Sequence, residues 1–310
     1  MWIFVILLFA VILGPVIYTQ MFPPKPRQYQ GVSLSQLSYQ EISFQNKEQN
    51  IDLTGMLFIP KGDEPFPAVV IIHGSGTSQR DNLWHLTIVH HLQENGIIAL
   101  VPDKRGSGSS QGNWRISSFE DLATDTIAAV NYLKEQNNVM VSQIGVIGLS
   151  QGGWIAPIVA TKSSDISFII DVVGTSVTAH EQLLYEENNN LREMGFLPGI
   201  SNAISYVSTF VLRNFSQKGF WNAIGNFDPL PYWQDVNIPT LVMYGNEDTN
   251  VPTMESKRRF ELINQDNINV RIYEGSGHAL EDPIEQGDSI FREEALIDIT
   301  KFINSIETSP

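Results

Sequence analysis

The pentapeptide Gly148-Leu149-Ser150-Gln151-Gly152 sets a serine hydroxyl between two glycines, directly after the apolar run Ile144–Leu149. A sharp strand-to-helix turn there would expose the hydroxyl as a nucleophile. Such a turn crowds the residues two before and two after the serine, so glycine at 148 and 152 removes the clash, and Gly153 leaves room for helix packing. A serine is a poor nucleophile until a base takes its proton. Among the six histidines, His278 lies in Glu274-Gly275-Ser276-Gly277-His278-Ala279, a flexible loop straight after the last strand-like run. His85, His90 and His91 fall on an expected helix, and each reads as a surface or packing residue, as does His180. The base in turn needs a carboxylate to hold its tautomer and stabilise the imidazolium. Asp248 in Tyr244-Gly245-Asn246-Glu247-Asp248-Thr249 is the candidate, with Glu247 as its nearest competitor.

Acyl transfer also needs donors for a tetrahedral oxyanion. One is the backbone N–H of Gln151, next to the nucleophile. The other is expected from His73-Gly74-Ser75-Gly76, where small residues let the main chain approach a substrate; the N–H of Ser75 is the choice, with Gly76 the neighbouring alternative. His73 then serves the loop rather than acting as a second base.

These groups can meet only if strands end at a common edge. Tyr39–Gln45 and Ile51–Ile59 alternate as an antiparallel pair would. Ala68–Ile72, Gly96–Val101, Ile144–Leu149, Phe168–Val173, Thr240–Tyr244 and Asn269–Tyr273 are short apolar or alternating runs suited to a sheet covered on both faces. Helical spacing falls between them, over about 82–95, from Phe119 to Gln136, after Gln151, and from about Ser289 to Ile306. Strands alternating with helices imply an α/β domain with a mostly parallel central sheet and helices on both faces. Ser176 to about Val236 breaks the rhythm. It is aromatic-rich, helical in pattern and without a clear strand, as expected of an inserted lid over the C-terminal edge of the sheet.

With nucleophile, acid and base in the order Ser150, Asp248, His278, the sequence from about Tyr39 onward resembles the α/β-hydrolase superfamily. His73-Gly74-Ser75-Gly76 with Arg80-Asp81, and Asp103-Lys104-Arg105-Gly106-Ser107-Gly108-Ser109, resemble serine esterases and the prolyl oligopeptidase and dienelactone hydrolase branches. The resemblance implies an α/β-hydrolase fold and a carboxylesterase-like reaction on a small-molecule ester or acyl substrate. Peptidase and acyl thioesterase chemistry are alternatives with the same triad, and a membrane-tethered, non-catalytic binding protein is the rival from another class. Neither a metal nor an organic cofactor is implied. The Asp103–Ser109 turn reads as structural.

Composition narrows the partners. The chain has 310 residues, 42% hydrophobic and 17% charged, enough for one large globular domain with an insertion. A formal net charge of −15 argues against nucleic acid, whose phosphates are bound by clustered Lys and Arg. With no cysteine there are no disulfides and no thiolate nucleophile. Trp2–Tyr18 is uncharged and apolar, interrupted only by Gly14 and Pro15. At about 1.5 Å per residue it is near the short limit for crossing a bilayer. Residues 1–20 are therefore expected to be a membrane anchor or export signal, 21–38 a linker, and 39–310 the catalytic domain with a lid at about 176–236. A membrane-anchored or exported protein of a bacterial envelope follows as an expectation, its sidedness resting on Lys25 and Arg27 alone.

Overall fold

Along the run Phe66–Ile72, Ala68, Val70 and Ile72 enter one buried cluster while Val69 and Ile71 enter another. Such a strand, apolar on both sides, belongs inside a sheet covered by helices on each face. The computed structural model describes Gly14, Met21 and residues 28–284 and 288–306. In chain order the first elements are β1 (Tyr29–Gln30), β2 (Gln40–Asn46), β3 (Ile51–Phe58), β4 (Phe66–Ile72), α1 (Leu83–Glu94) and β5 (Ile98–Pro102). They are followed by α2 (Phe119–Lys134), β6 (Val141–Leu149), α3 (Gly152–Lys162) and β7 (Phe168–Val172). An all-helical excursion then runs through α4 (Ala179–Glu193), α5 (Pro198–Val211), α6 (Lys218–Ile224) and α7 (Leu230–Asp235). The chain returns as β8 (Thr240–Gly245), α8 (Thr253–Ile263), β9 (Ile268–Tyr273), β10 (Glu281–Pro283), β11 (Ser289–Phe291) and α9 (Glu293–Ser305).

Eight strands form one sheet in the order β2-β3-β5-β4-β6-β7-β8-β9. The first pair and β3 with β5 are antiparallel, and the remaining neighbours are parallel. Residues of α2, α3 and α8 pack on one face, and those of α1 and α9 on the other. This is the α/β-hydrolase fold expected from the sequence. Capping explains where several helices begin. Asn82 accepts from the His85 N–H ahead of α1, and Ser118 and Thr178 each form a reciprocal capping box ahead of α2 and α4.

The helical insertion is bolted to the body. Arg259 of α8 reaches Glu181 of α4 at 2.7 Å, and the Tyr232 hydroxyl donates to Glu120 at 2.8 Å. Its aromatic residues divide. Phe227 meets Phe119 edge-on at 4.9 Å and stacks on Tyr232, whereas Tyr206, Phe210 and Phe215 are exposed.

Two expectations change at the ends. The last helix starts at Glu293, not Ser289, because the main chain of Ser289–Phe291 is committed to pairing with β1 and β10. The segment 21–38, expected as a linker, is partly docked: Tyr29–Gln30 forms β1, and the Val32 N–H donates to Thr87 of α1. The expected anchor at 1–20 lies outside the described residues, Gly14 excepted. Among those described, no helix is long and apolar enough to cross a membrane.

Candidate active site

Ser150 has φ +52°, a left-handed conformation that costs a non-glycine residue about 1–2 kcal/mol. Flanking bonds hold it: the Ser150 N–H donates to Val172 O and the Gly153 N–H to Ser150 O, both at 2.8 Å. The turn works only because its neighbours lack side chains. A Cβ on Gly148 would lie 2.5 Å from the carbonyl oxygen of Gly152, and one on Gly152 would lie 2.2 Å from that of Ile72. At Gly153 it would strike Asp171 at 2.1 Å. Asp171 is fully buried on β7, accepts from the Gly174 N–H at 2.9 Å, and is pushed up to about 8 by burial. It is the residue against which the helix after Ser150 closes, and no motif in the sequence marked it.

Ser150, His278 and Asp248 come together although 128 and 30 residues separate the pairs. His278 Nδ1 lies 2.8 Å from Asp248 Oδ2, and its Nε2 lies 3.0 Å from Ser150 Oγ. A carboxylate can only accept, so the proton sits on Nδ1 and Nε2 is left to accept from the serine hydroxyl. The other oxygen of Asp248 accepts the Asn250 and Val251 N–H groups at 2.7 and 2.8 Å, which fixes the carboxylate's rotation. Glu247, the competing acid, is exposed and contributes only its main-chain N–H, to Ser276 O. Burial by itself would lower the basicity of His278. The charge and hydrogen bond of Asp248, helped by Glu186 and Glu281, outweigh it and hold the imidazole above its ordinary value.

Gln151 and Ser75 border one cavity, and Ser75 also borders the cleft that holds Ser150 and His278. Neither main-chain N–H has a hydrogen-bond partner among the described residues, which leaves both free for an oxyanion. His73 does not face the nucleophile as a base. Its Nε2–H donates to Pro102 O at 2.6 Å, and burial pushes it down to about 4, so it stays neutral. His85 packs on it with ring centroids 5.1 Å apart, while His91 approaches Thr300 and His180 receives a hydrogen bond from Arg213 within the insertion.

The Asp103–Ser109 turn braces this loop. Arg80 makes a two-pronged pair with Asp103 at 2.9 and 2.7 Å, and Ser78 exchanges hydrogen bonds with Ser107 and the Lys104 N–H. Lys104 does more than the turn required. Its buried Nζ donates to Gly74 O at 2.8 Å and to Gln151 Oε1 at 2.7 Å, tying together the two segments expected to carry the oxyanion donors. With no carboxylate partner among the described residues, the ammonium is pushed down to about 7 by burial. A Lys104→Met protein, similar in volume but without the tie, is expected to lose about 10- to 100-fold in kcat with KM changed far less. Steady-state kinetics on a folded variant checks this, and an unchanged kcat would exclude the role. Glu186 of α4 was also invisible to sequence reading. It lines both cavities from the insertion side, and burial raises its carboxyl.

A family model described as BAAT / acyl-CoA thioester hydrolase C terminal matches residues 127–285, about half of the chain. The chain belongs to this α/β-hydrolase family. A second model, serine aminopeptidase S33, matches residues 63–190. Esterase EstD of Thermotoga maritima is 24% identical over 253 residues, covering 77% of this chain and 60% of its own. The peroxisomal succinyl-coenzyme A thioesterase of Mus musculus is 22% identical over 73% of this chain and 52% of its own. This α/β-hydrolase thus spans between half and three-fifths of the length of those two relatives. A solved esterase of Pyrococcus furiosus superposes with a TM-score of 0.66 at 18% identity, over 91% of this chain and 96% of that one, a likeness of fold.

Proposed function

We propose that the protein is a serine hydrolase that cleaves carboxylic esters of small to medium apolar substrates through an acyl-enzyme on Ser150. The observation that carries this reading is the continuous hydrogen-bond chain from Ser150 Oγ through His278 to Asp248, at 3.0 and 2.8 Å, beside two N–H groups without a partner among the described residues. Ser150 Oγ attacks the ester carbonyl while its proton passes to His278 Nε2, and the oxyanion is held by the N–H groups of Gln151 and Ser75. The carbon–oxygen bond to the alcohol breaks as His278 protonates the leaving oxygen. Water then attacks the acyl-enzyme, His278 takes its proton, and the acid leaves with Ser150 restored. Each step uses side-chain and main-chain groups of this chain and one water.

Two further substrate classes fit the same triad. The mouse relative and the matched family favour a thioester, and the aminopeptidase model favours a peptide. A panel of p-nitrophenyl esters, acyl thioesters and aminoacyl anilides separates them by kcat/KM. Esters of short to medium acyl chains are expected to lead each other class by at least roughly 10-fold. A thioester or anilide in first place would reassign the substrate and leave the triad standing.

A further inference from the structure

Two cavities meet at Ser75, Gln182 and Glu186, and they differ in chemistry. The larger, about 710 Å³, runs under the insertion and is walled by Trp114, Trp154, Leu183, Leu212, Phe220 and Trp221, with Arg115 and Glu187 among its polar residues. It includes Gln151 and Ser75, the oxyanion segments, but neither Ser150 nor His278. The smaller, about 390 Å³, contains both Ser150 and His278; Trp84 and His85 share its wall with a polar majority that includes Thr77, Ser78, Asn82 and Asn250. Apart from its imidazoles, Glu186 is its one ionisable side chain among the described residues.

Proton delivery orients a substrate between them. The leaving oxygen must lie within reach of His278 Nε2, because that nitrogen protonates it as the carbon–oxygen bond breaks. The alcohol therefore departs through the cavity that contains His278. With the carbonyl oxygen toward Gln151 and Ser75, the remaining substituent of the tetrahedral carbon points past those residues, into the cavity that lacks His278. Resting on the serine-hydrolase reading above, we propose that the aromatic cavity takes the acyl group and the polar cleft takes a hydrophilic, uncharged alcohol. The substrate class is an ester of a medium-sized apolar or aromatic acid with a hydroxyl-rich alcohol, so that the apolar character of the proposed substrate lies in its acyl group. Glu186 beside the cleft, in a chain of net charge −15, opposes a polyanionic leaving group.

Isomeric esters test the orientation. Methyl 3-phenylpropanoate and 2-phenylethyl acetate have the same atoms, with the aromatic group on the acid in one and on the alcohol in the other. The wild-type protein is expected to favour the phenylpropanoate by at least roughly 10-fold in kcat/KM, and to cleave its glycerol monoester no more slowly than its methyl ester. Leu183→Trp, which fills the aromatic cavity, should lower the ratio of phenylpropanoate to methyl acetate turnover by about 10-fold. Equal or reversed preference for the isomers, with hydrolysis still dependent on Ser150, would overturn the orientation and leave the hydrolase reading intact. So would a Leu183→Trp protein that loses phenylethyl acetate turnover instead. No turnover of either isomer by a folded wild-type protein would overturn both.

Discussion

A Ser150→Ala protein is expected to lose on the order of 10⁴-fold or more in kcat on any ester the wild type cleaves. The size of the loss follows from what Ser150 shares. In the proposed mechanism its hydroxyl accepts the acyl group and donates to His278 Nε2, which lies 3.0 Å away, so its removal would end covalent catalysis rather than weaken it. What survives is whatever the oxyanion N–H groups contribute toward attack by water. Because the two side chains act as a unit, His278→Ala should cost about as much, and the double variant little more than either alone. A fluorophosphonate, which reports the activated nucleophile directly, should form one adduct that mass spectrometry places on Ser150. The adduct should vanish in Ser150→Ala and form far more slowly in His278→Ala. A Ser150→Ala protein retaining a tenth of the wild-type rate would sink the assignment.

Asp248→Asn is expected to cost between about 10³- and 10⁴-fold near neutral pH, with the fold intact. The amide can still accept from the Asn250 and Val251 N–H groups, so the loop keeps its two anchors. It would then turn an NH₂ group toward His278 Nδ1, and that nitrogen would have to accept. The ring proton moves to Nε2, the position that must take the proton of Ser150. The pH dependence carries a second signature. Protonated His278 cannot act as base, so the wild-type rate falls as pH drops through its raised value. Loss of the Asp248 charge removes the main opponent of burial, leaving only Glu186 and Glu281, and the acid limb of kcat/KM should move to lower pH. Glu247→Gln is the control, since that side chain is exposed and outside the hydrogen-bond chain; its profile should overlay the wild type. An acid limb that stays in place in Asp248→Asn but shifts in Glu247→Gln would exchange the roles of the two acids.

Short-range chemistry made much of this site readable. Gly148, Gly152 and Gly153 are demanded by contacts of 2.5, 2.2 and 2.1 Å that any Cβ would suffer, so the turn around Ser150 announces itself in composition. Strand interiors such as Ala68–Ile72 are legible because a sheet buried on both faces leaves no polar alternation to blur them. Elements whose existence depends on distant partners were harder to read. Helix α8 buries only Thr253, Ser256 and Phe260, too few apolar residues for its period to stand out, and it is held by Arg259 to Glu181 across the fold. Strand β11 has a pattern that continues smoothly into a helix, and pairing with β1 and β10 alone makes it extended.

The fold class and the chain order of Ser150, Asp248 and His278 just past strand ends were legible along the chain, because local sterics and apolar periodicity act between near neighbours. Folding set which of two adjacent acids faces His278, since Glu247 and Asp248 differ in direction and not in kind. It also turned Lys104 inward to join Gly74 with Gln151, brought Glu186 over the site from the insertion, and divided the space around Ser150 into an aromatic cavity and a polar cleft. Those features depend on side chains from separate elements converging in space, and no interval along the chain encodes that convergence.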